Sequence, residues 1–156
     1  MSRSVAFLTM DDLTGYVCYD ALAIAELRGR GWRVDEVSWR RDGVDWAAYD
    51  VVLVRSTWDY HHDPGAFLAR LEEIDASPAR LENALSIQRW NLAKTYLRDL
   101  AAAGVATLPT LWPAALAPAD LTGAFAALDA DEIVVKPVIG AGAERTHRLT
   151  PAAAAA

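Results

Sequence analysis

A chain of 156 residues with 53% apolar and 23% charged side chains can bury a real core, since a compact chain of this size hides roughly two-thirds of the surface it exposes unfolded. Its formal net charge of −6, with a pI near 5.0, excludes a general electrostatic footprint for nucleic acid or an anionic membrane, so an anionic ligand must be met by a few local groups. Cys18, the single cysteine, excludes an internal disulfide and a cysteine-built zinc site, and with no signal-like or membrane-length apolar run the expectation is a cytoplasmic protein acting on small molecules.

In chain order, SVAFLT (4–9) predicts a short buried strand, and YDALAIAELRGRG predicts a helix from Leu22, Ala23 and Leu27, with Asp20 as its N-cap and the final glycines as its stop. WRVDEVSW alternates as a second strand, DGVDWAAYD connects, and VVLVR is a third strand expected to end at Val54. Asp63 and Pro64 then open a helix running to Ile74, with Phe67, Leu68 and Leu71 on one face. This βαββα order predicts the first half of a Rossmann-like parallel sheet, and ligands of such sheets sit beyond the carboxyl ends of the strands, where Arg55 to His62 fall.

A second unit is expected from residue 85. NLAKTYLRDLAAAGV predicts a helix capped by Asn91 and stopped by Gly104, with Lys94 in its first turn; ATLPTLW predicts a strand and Pro118 to Leu128 a helix. DEIVVKPVIGAGAERTHRLT predicts a strand, a glycine-rich loop and a returning strand, and the alanine-rich end is low in complexity.

Three groups of residues carry candidate chemistry. Lys136 ends a buried strand just before Gly140, Ala141 and Gly142, where a loop of small residues lets backbone N–H groups approach phosphate oxygens; taken alone, the pattern also fits a plain hairpin turn. Lys94 is slightly unfavourable in a first helical turn, and of 15 basic residues only Lys94 and Lys136 are lysines, whose compact charge differs from arginine's planar fork. Arg55 suits a carboxylate or phosphate, Asp59 an ammonium group, and Trp58 and Tyr60 could wall a pocket; in the plainer arrangement Arg55 and Asp59 pair with each other and the aromatics pack. His61, His62 and His147 lack the spacing of a zinc site, and MDDLTGY after the first strand replaces the glycine turn of a dinucleotide binder.

Together, VLVRSTWDYHHDPGAF, RLENALSIQRWNLAKTYLRDL and DEIVVKPVIGAGAERTHRL resemble, in that order, the N-terminal half of ATP-grasp ligases of the glutathione synthetase and ribosomal-protein S6 modification type, near the D-cycloserine cyclo-ligase group. The resemblance implies an α/β architecture: a Rossmann-like pre-ATP-grasp domain over residues 1–84, then a partial, first-lobe ATP-grasp α+β domain over 85–156. It implies ATP and Mg2+ as cofactors, with Lys94, Lys136, Gly140, Ala141 and Gly142 on the phosphates and the metal ligands outside this chain. Arg55, Trp58, Asp59 and Tyr60 would line the substrate pocket. The partners implied are small-molecule carboxylate and amine substrates, joined through an acyl phosphate, with a missing C-terminal lobe or self-association completing a chain inactive alone. The contrasting expectation is a small-ligand-binding module that uses no nucleotide.

Overall fold

The computed structural model describes residues 3–154, which divide after Leu92 into two compact units. In the first unit β1 (Ser4–Thr9), β2 (Arg33–Ser38), β3 (Val51–Ser56) and β4 (Arg80–Glu82) form a four-stranded parallel sheet in the order β2-β1-β3-β4. Val5 of β1 lies opposite Val34 of β2 on one side and Val51 of β3 on the other. Parallel strands need crossovers, and the helices α1 (Asp20–Gly29) after β1 and α2 (Pro64–Asp75) after β3 supply two of them. The chain is an α/β protein.

The strand period of two sorts the core into two layers. Val5, Phe7 and Val34 pack with Ile24 of α1, with Val51 and Leu53 alongside. Ala6, Leu8, Val37 and Val52 point the other way and pack with Phe67, Leu71 and Ile74 of α2 and with Leu85 of α3 (Leu85–Asn91). α2 begins where expected because the Asp63 carboxylate accepts from the Ala66 N–H at 3.0 Å and Pro64 occupies the first turn.

In α1 Ile24, at 4% exposure, faces the sheet with Ala23 and Leu27 packed beside it, while Leu22 is 71% exposed. Asp20 is the first residue of α1 and not its N-cap; Tyr19 holds the cap position without a side-chain hydrogen bond, and the Asp20 carboxylate is used elsewhere. β3 runs past Val54 to Ser56, which places Arg55 on the strand itself. β4 was not expected: three residues with only Leu81 buried are too short to show an alternation.

The second unit holds α4 (Tyr96–Ala102), α5 (Leu121–Leu128), the antiparallel pair β5 (Ile133–Val135) and β6 (His147–Leu149), and the short α6 (Pro151–Ala154). Asn91 does not cap α4, because it closes α3, and Lys94 sits in the turn that separates the two helices. Residues 105–113 are not a strand; Pro109 and Pro113 lack the N–H a ladder requires. Among the described residues, the buried apolar side chains of this unit are Phe125 and Ile133.

Candidate functional site

Two constellations stand out, one in each unit. In the first, β1 and β3 adjoin at the point where the chain reverses its winding, with β2 on one side and β4 on the other, and crevices outside the carboxyl ends of strands at such points hold ligands in open α/β sheets. Following β3 from Val51 through Leu53, Arg55 points to the face covered by α1, with its guanidinium 5.7 Å above the Phe7 ring. There it meets Asp20. Arg55 Nε and Nη2 both donate to Asp20 Oδ1, at 2.8 and 2.5 Å, and the Ser56 hydroxyl donates to Asp20 Oδ2 at 2.5 Å.

The Ser56 proton is thereby committed, so the Cys18 thiol, 3.1 Å from Ser56 Oγ, is the donor in that contact. Burial works to raise the pKa of Asp20, but the hydrogen bonds from Ser56 and Arg55, with the charge of Arg55 and the nearby Cys18 thiol, together outweigh it and hold the carboxyl below the ordinary value. The ion pair is therefore fully formed at neutral pH. Its two ends differ: the Asp20 side chain is 5% exposed and that of Arg55 is 41% exposed.

Trp58, Asp59 and Tyr60 do not join Arg55 on this face. Trp58 and Tyr60 pack against the α2-side core, Tyr60 beside Phe67 with ring centroids 5.5 Å apart and Trp58 beside Tyr16 at 5.3 Å. Asp59 accepts from Trp39 Nε1 at 2.7 Å and Arg40 Nε at 2.8 Å, while the Arg40 guanidinium stacks 3.9 Å above the Trp39 ring. Asp59 thus fastens the end of β2 to the segment after β3. Arg55 and Asp59 do not pair with each other; each has its own partner.

Asp20, Ser56 and Cys18 were missed as members of this cluster, because a pairing across 35 residues leaves no local pattern. One signal was available. Arg55 continues the α1-facing alternation of Val51 and Leu53, and a charge at that position requires an acid on the α1 side, where Asp20 opens the helix.

The second constellation lies wholly in the second unit. Lys94 donates its backbone N–H to Val138 O at 2.8 Å and its ammonium to Gly140 O at 2.8 Å, so one residue grips the glycine-rich loop twice. A Cβ on Gly140 would fall 2.9 Å from Pro137 Cγ and 3.6 Å from Lys94 Nζ, and glycine is required by that close approach. Gly142, Ala143 and Arg145 all have positive φ, and for the two non-glycine residues this costs on the order of 1 kcal/mol each, a strain that concentrates at functional loops. Burial and then the charge of Lys136 depress the pKa of Lys94. Lys136 is exposed just beyond the end of β5, so the structure brings Lys94, Lys136 and the loop of Gly140, Ala141 and Gly142 into one cationic neighbourhood.

A parallel α/β sheet with a charged cluster at its winding reversal in one unit, and two lysines around a tight loop in the other, define an α/β protein with two candidate sites. Residues 5–83 match the family described as D-cycloserine synthetase DcsG, N-terminal domain, and the chain belongs to that family. It is 33% identical over 145 residues to the cycloserine biosynthesis protein DcsG of Streptomyces lavendulae, an alignment covering 90% of this chain and 48% of that protein. Its fold matches the crystal structure of D-cycloserine synthetase DcsG with a TM-score of 0.84 at 31% identity, over 97% of this chain and 52% of that one. The chain spans about half the length of these relatives. Among the described residues, no helix is long and apolar enough to cross a membrane.

Proposed function

We propose that this chain is the ATP-binding portion of an ATP-dependent carboxylate–amine ligase of the ATP-grasp type, with a Rossmann-like pre-ATP-grasp domain followed by part of the first ATP-grasp lobe. Bound ATP would supply the phosphoryl group that turns a carboxylate into an acyl phosphate, which an amine then displaces. The observation that carries this reading is the double grip of Lys94 on the Gly140 loop beside Lys136.

The residues present fit a polyphosphate. Two ammonium groups close enough for one to depress the other repel, and an anion between them relieves the repulsion. Small residues from Gly140 to Gly142 would let backbone N–H groups approach phosphate oxygens closely. In phosphoryl transfer of this kind the protein mainly positions groups and neutralises charge, so the absence of an acid–base dyad from the proposal is no obstacle. The adenine contacts and magnesium ligands would come from the half of the relatives' length that this chain does not span. Carboxylate and amine substrates would meet the first unit at the carboxyl ends of β1 and β3, where Arg55 stands, with Trp58 and Tyr60 as apolar surface and Asp59 holding Trp39 and Arg40 in place. The similarity to a biosynthetic synthetase supports a ligase-related role.

Amide-shift mapping tests the nucleotide site. Titrating the labelled chain with ATP is expected to move the resonances of Lys94 and of residues 136–143 saturably, and adenosine is expected to leave them unmoved. No shifts at all would favour a binding module that uses no nucleotide, and shifts confined to the first unit would remove the nucleotide from the Gly140 loop.

A further inference from the structure

Arg55 presents two donor edges, and among the described residues only one is engaged. Its side edge, Nε with the inner N–H of Nη2, is committed to Asp20 Oδ1, which leaves one N–H of Nη1 and the outer one of Nη2 parallel on the end edge of a side chain 41% exposed. The rotamer is locked from behind: Asp20 is buried at the start of α1, its second oxygen is tied to the buried Ser56, and Phe7 lies under the guanidinium. The end edge therefore has a fixed direction at the sheet's winding reversal, and little side-chain entropy remains to be lost when a ligand binds.

We propose that the Nη1/Nη2 edge of Arg55 is a recognition subsite for a carboxylate of the small-molecule substrate, and that Asp20 is the positioning residue that aims it. Two coplanar acceptor oxygens match the fork. A monoanionic carboxylate fits better than a phosphate dianion because the Arg55–Asp20 pair is neutral as a whole and Asp20 repels additional negative charge. Asp59, the other charged candidate after β3, is an anion held by Trp39 and Arg40, so Arg55 is the candidate of that cluster that can meet a carboxylate. Lysine at position 55 would keep the charge but could not serve Asp20 and a ligand through two edges at once. The proposal rests on the ligase reading only in calling the ligand a substrate.

The test is a guanidinium-detected NMR titration of the full-length labelled chain with alanine, alaninamide and inorganic phosphate. Alanine is expected to shift the Arg55 Nε and Nη resonances saturably, with alaninamide and phosphate about tenfold weaker or silent. Read by calorimetric titration, which does not depend on the Arg55 signal, Arg55→Lys and Asp20→Asn should each weaken alanine binding by about 10- to 100-fold. Asp20→Asn should also speed rotation about the Arg55 Cζ–N bonds in the free chain, which a purely structural role elsewhere would not do. Equal responses to alanine and alaninamide, a stronger response to phosphate, or unchanged rotation and binding in Asp20→Asn would overturn the proposal. If Asp20→Asn does not fold, the exposed Arg55→Lys variant and the ligand comparison still decide. The ATP titration of the second unit is independent of this one, so either site can fail while the other stands.

Discussion

Leu71→Ala is expected to cost the first unit about 3–5 kcal/mol, the range for removing a fully buried leucine whose surroundings cannot collapse. Leu71 has 0% exposure at the middle of α2, enclosed with Leu8, Val52, Phe67 and Ile74 in the layer that seats the helix on the sheet. A domain of ordinary stability holds only about 5–15 kcal/mol, so the change removes a large share of it and should lower the melting temperature by roughly 10 °C or more. Leu22→Ala, at a leucine of the same size on α1 but 71% exposed, should stay within about 0.5 kcal/mol. Urea unfolding of the two variants checks both. Similar midpoint shifts would mean that α1 buries its Leu22 face and that the two-layer core is wrongly built.

Lys136→Met should weaken ATP binding by about 10- to 100-fold, the loss of one hydrogen bond to a charged phosphate in each case. Lys136 is exposed, so the substitution leaves the Phe125 and Ile133 core untouched and its effect on stability should be small. Arginine at the same position should restore only part of the affinity, because a broad planar fork does not replace a compact ammonium. Equilibrium dialysis against labelled ATP gives the ratio directly. Equal affinity in wild type and Lys136→Met would remove this residue from the phosphate site.

Local signals carried the sequence reading far in the first unit and less far in the second. β1, β2 and α2 were legible because each pairs a clear hydrophobic period with a physical stop, such as the Asp63 cap or the Gly31 turn at φ +82°. The hairpin of β5 and β6 was legible for the same reason, with Ile133 inward and Val134 outward. Asn91 misled because a capping residue type looks the same at either end of a helix, and only Ala84, extended at ψ 143°, shows that α3 starts earlier. Lys94 was singled out as one of two lysines and on a helical premise that does not hold; it stands in a turn, from which it bonds Val138 and Gly140. Arg55 was found from its position after the third strand; its dependence on Asp20 was hidden because tertiary pairing has no sequence period. Asp20 looked like a cap, and its carboxylate answers Arg55 and Ser56 in place of the helix N–H groups.

The two lysines decide the account, and the titration of the Lys94 ammonium tests them most directly. In the free chain, burial and the charge of Lys136 hold the Lys94 pKa below the ordinary lysine value. An anion that binds the ammonium form must raise that pKa, so by linkage ATP affinity falls as pH rises from the free toward the bound value. Following the Lys94 ε-methylene shift with pH should give a depressed pKa without ATP, an upward shift at saturating ATP, and a partial return toward the ordinary value in Lys136→Met without ligand. A Lys94 pKa that is the same with and without saturating ATP would contradict the phosphate site and the ligase reading built on it.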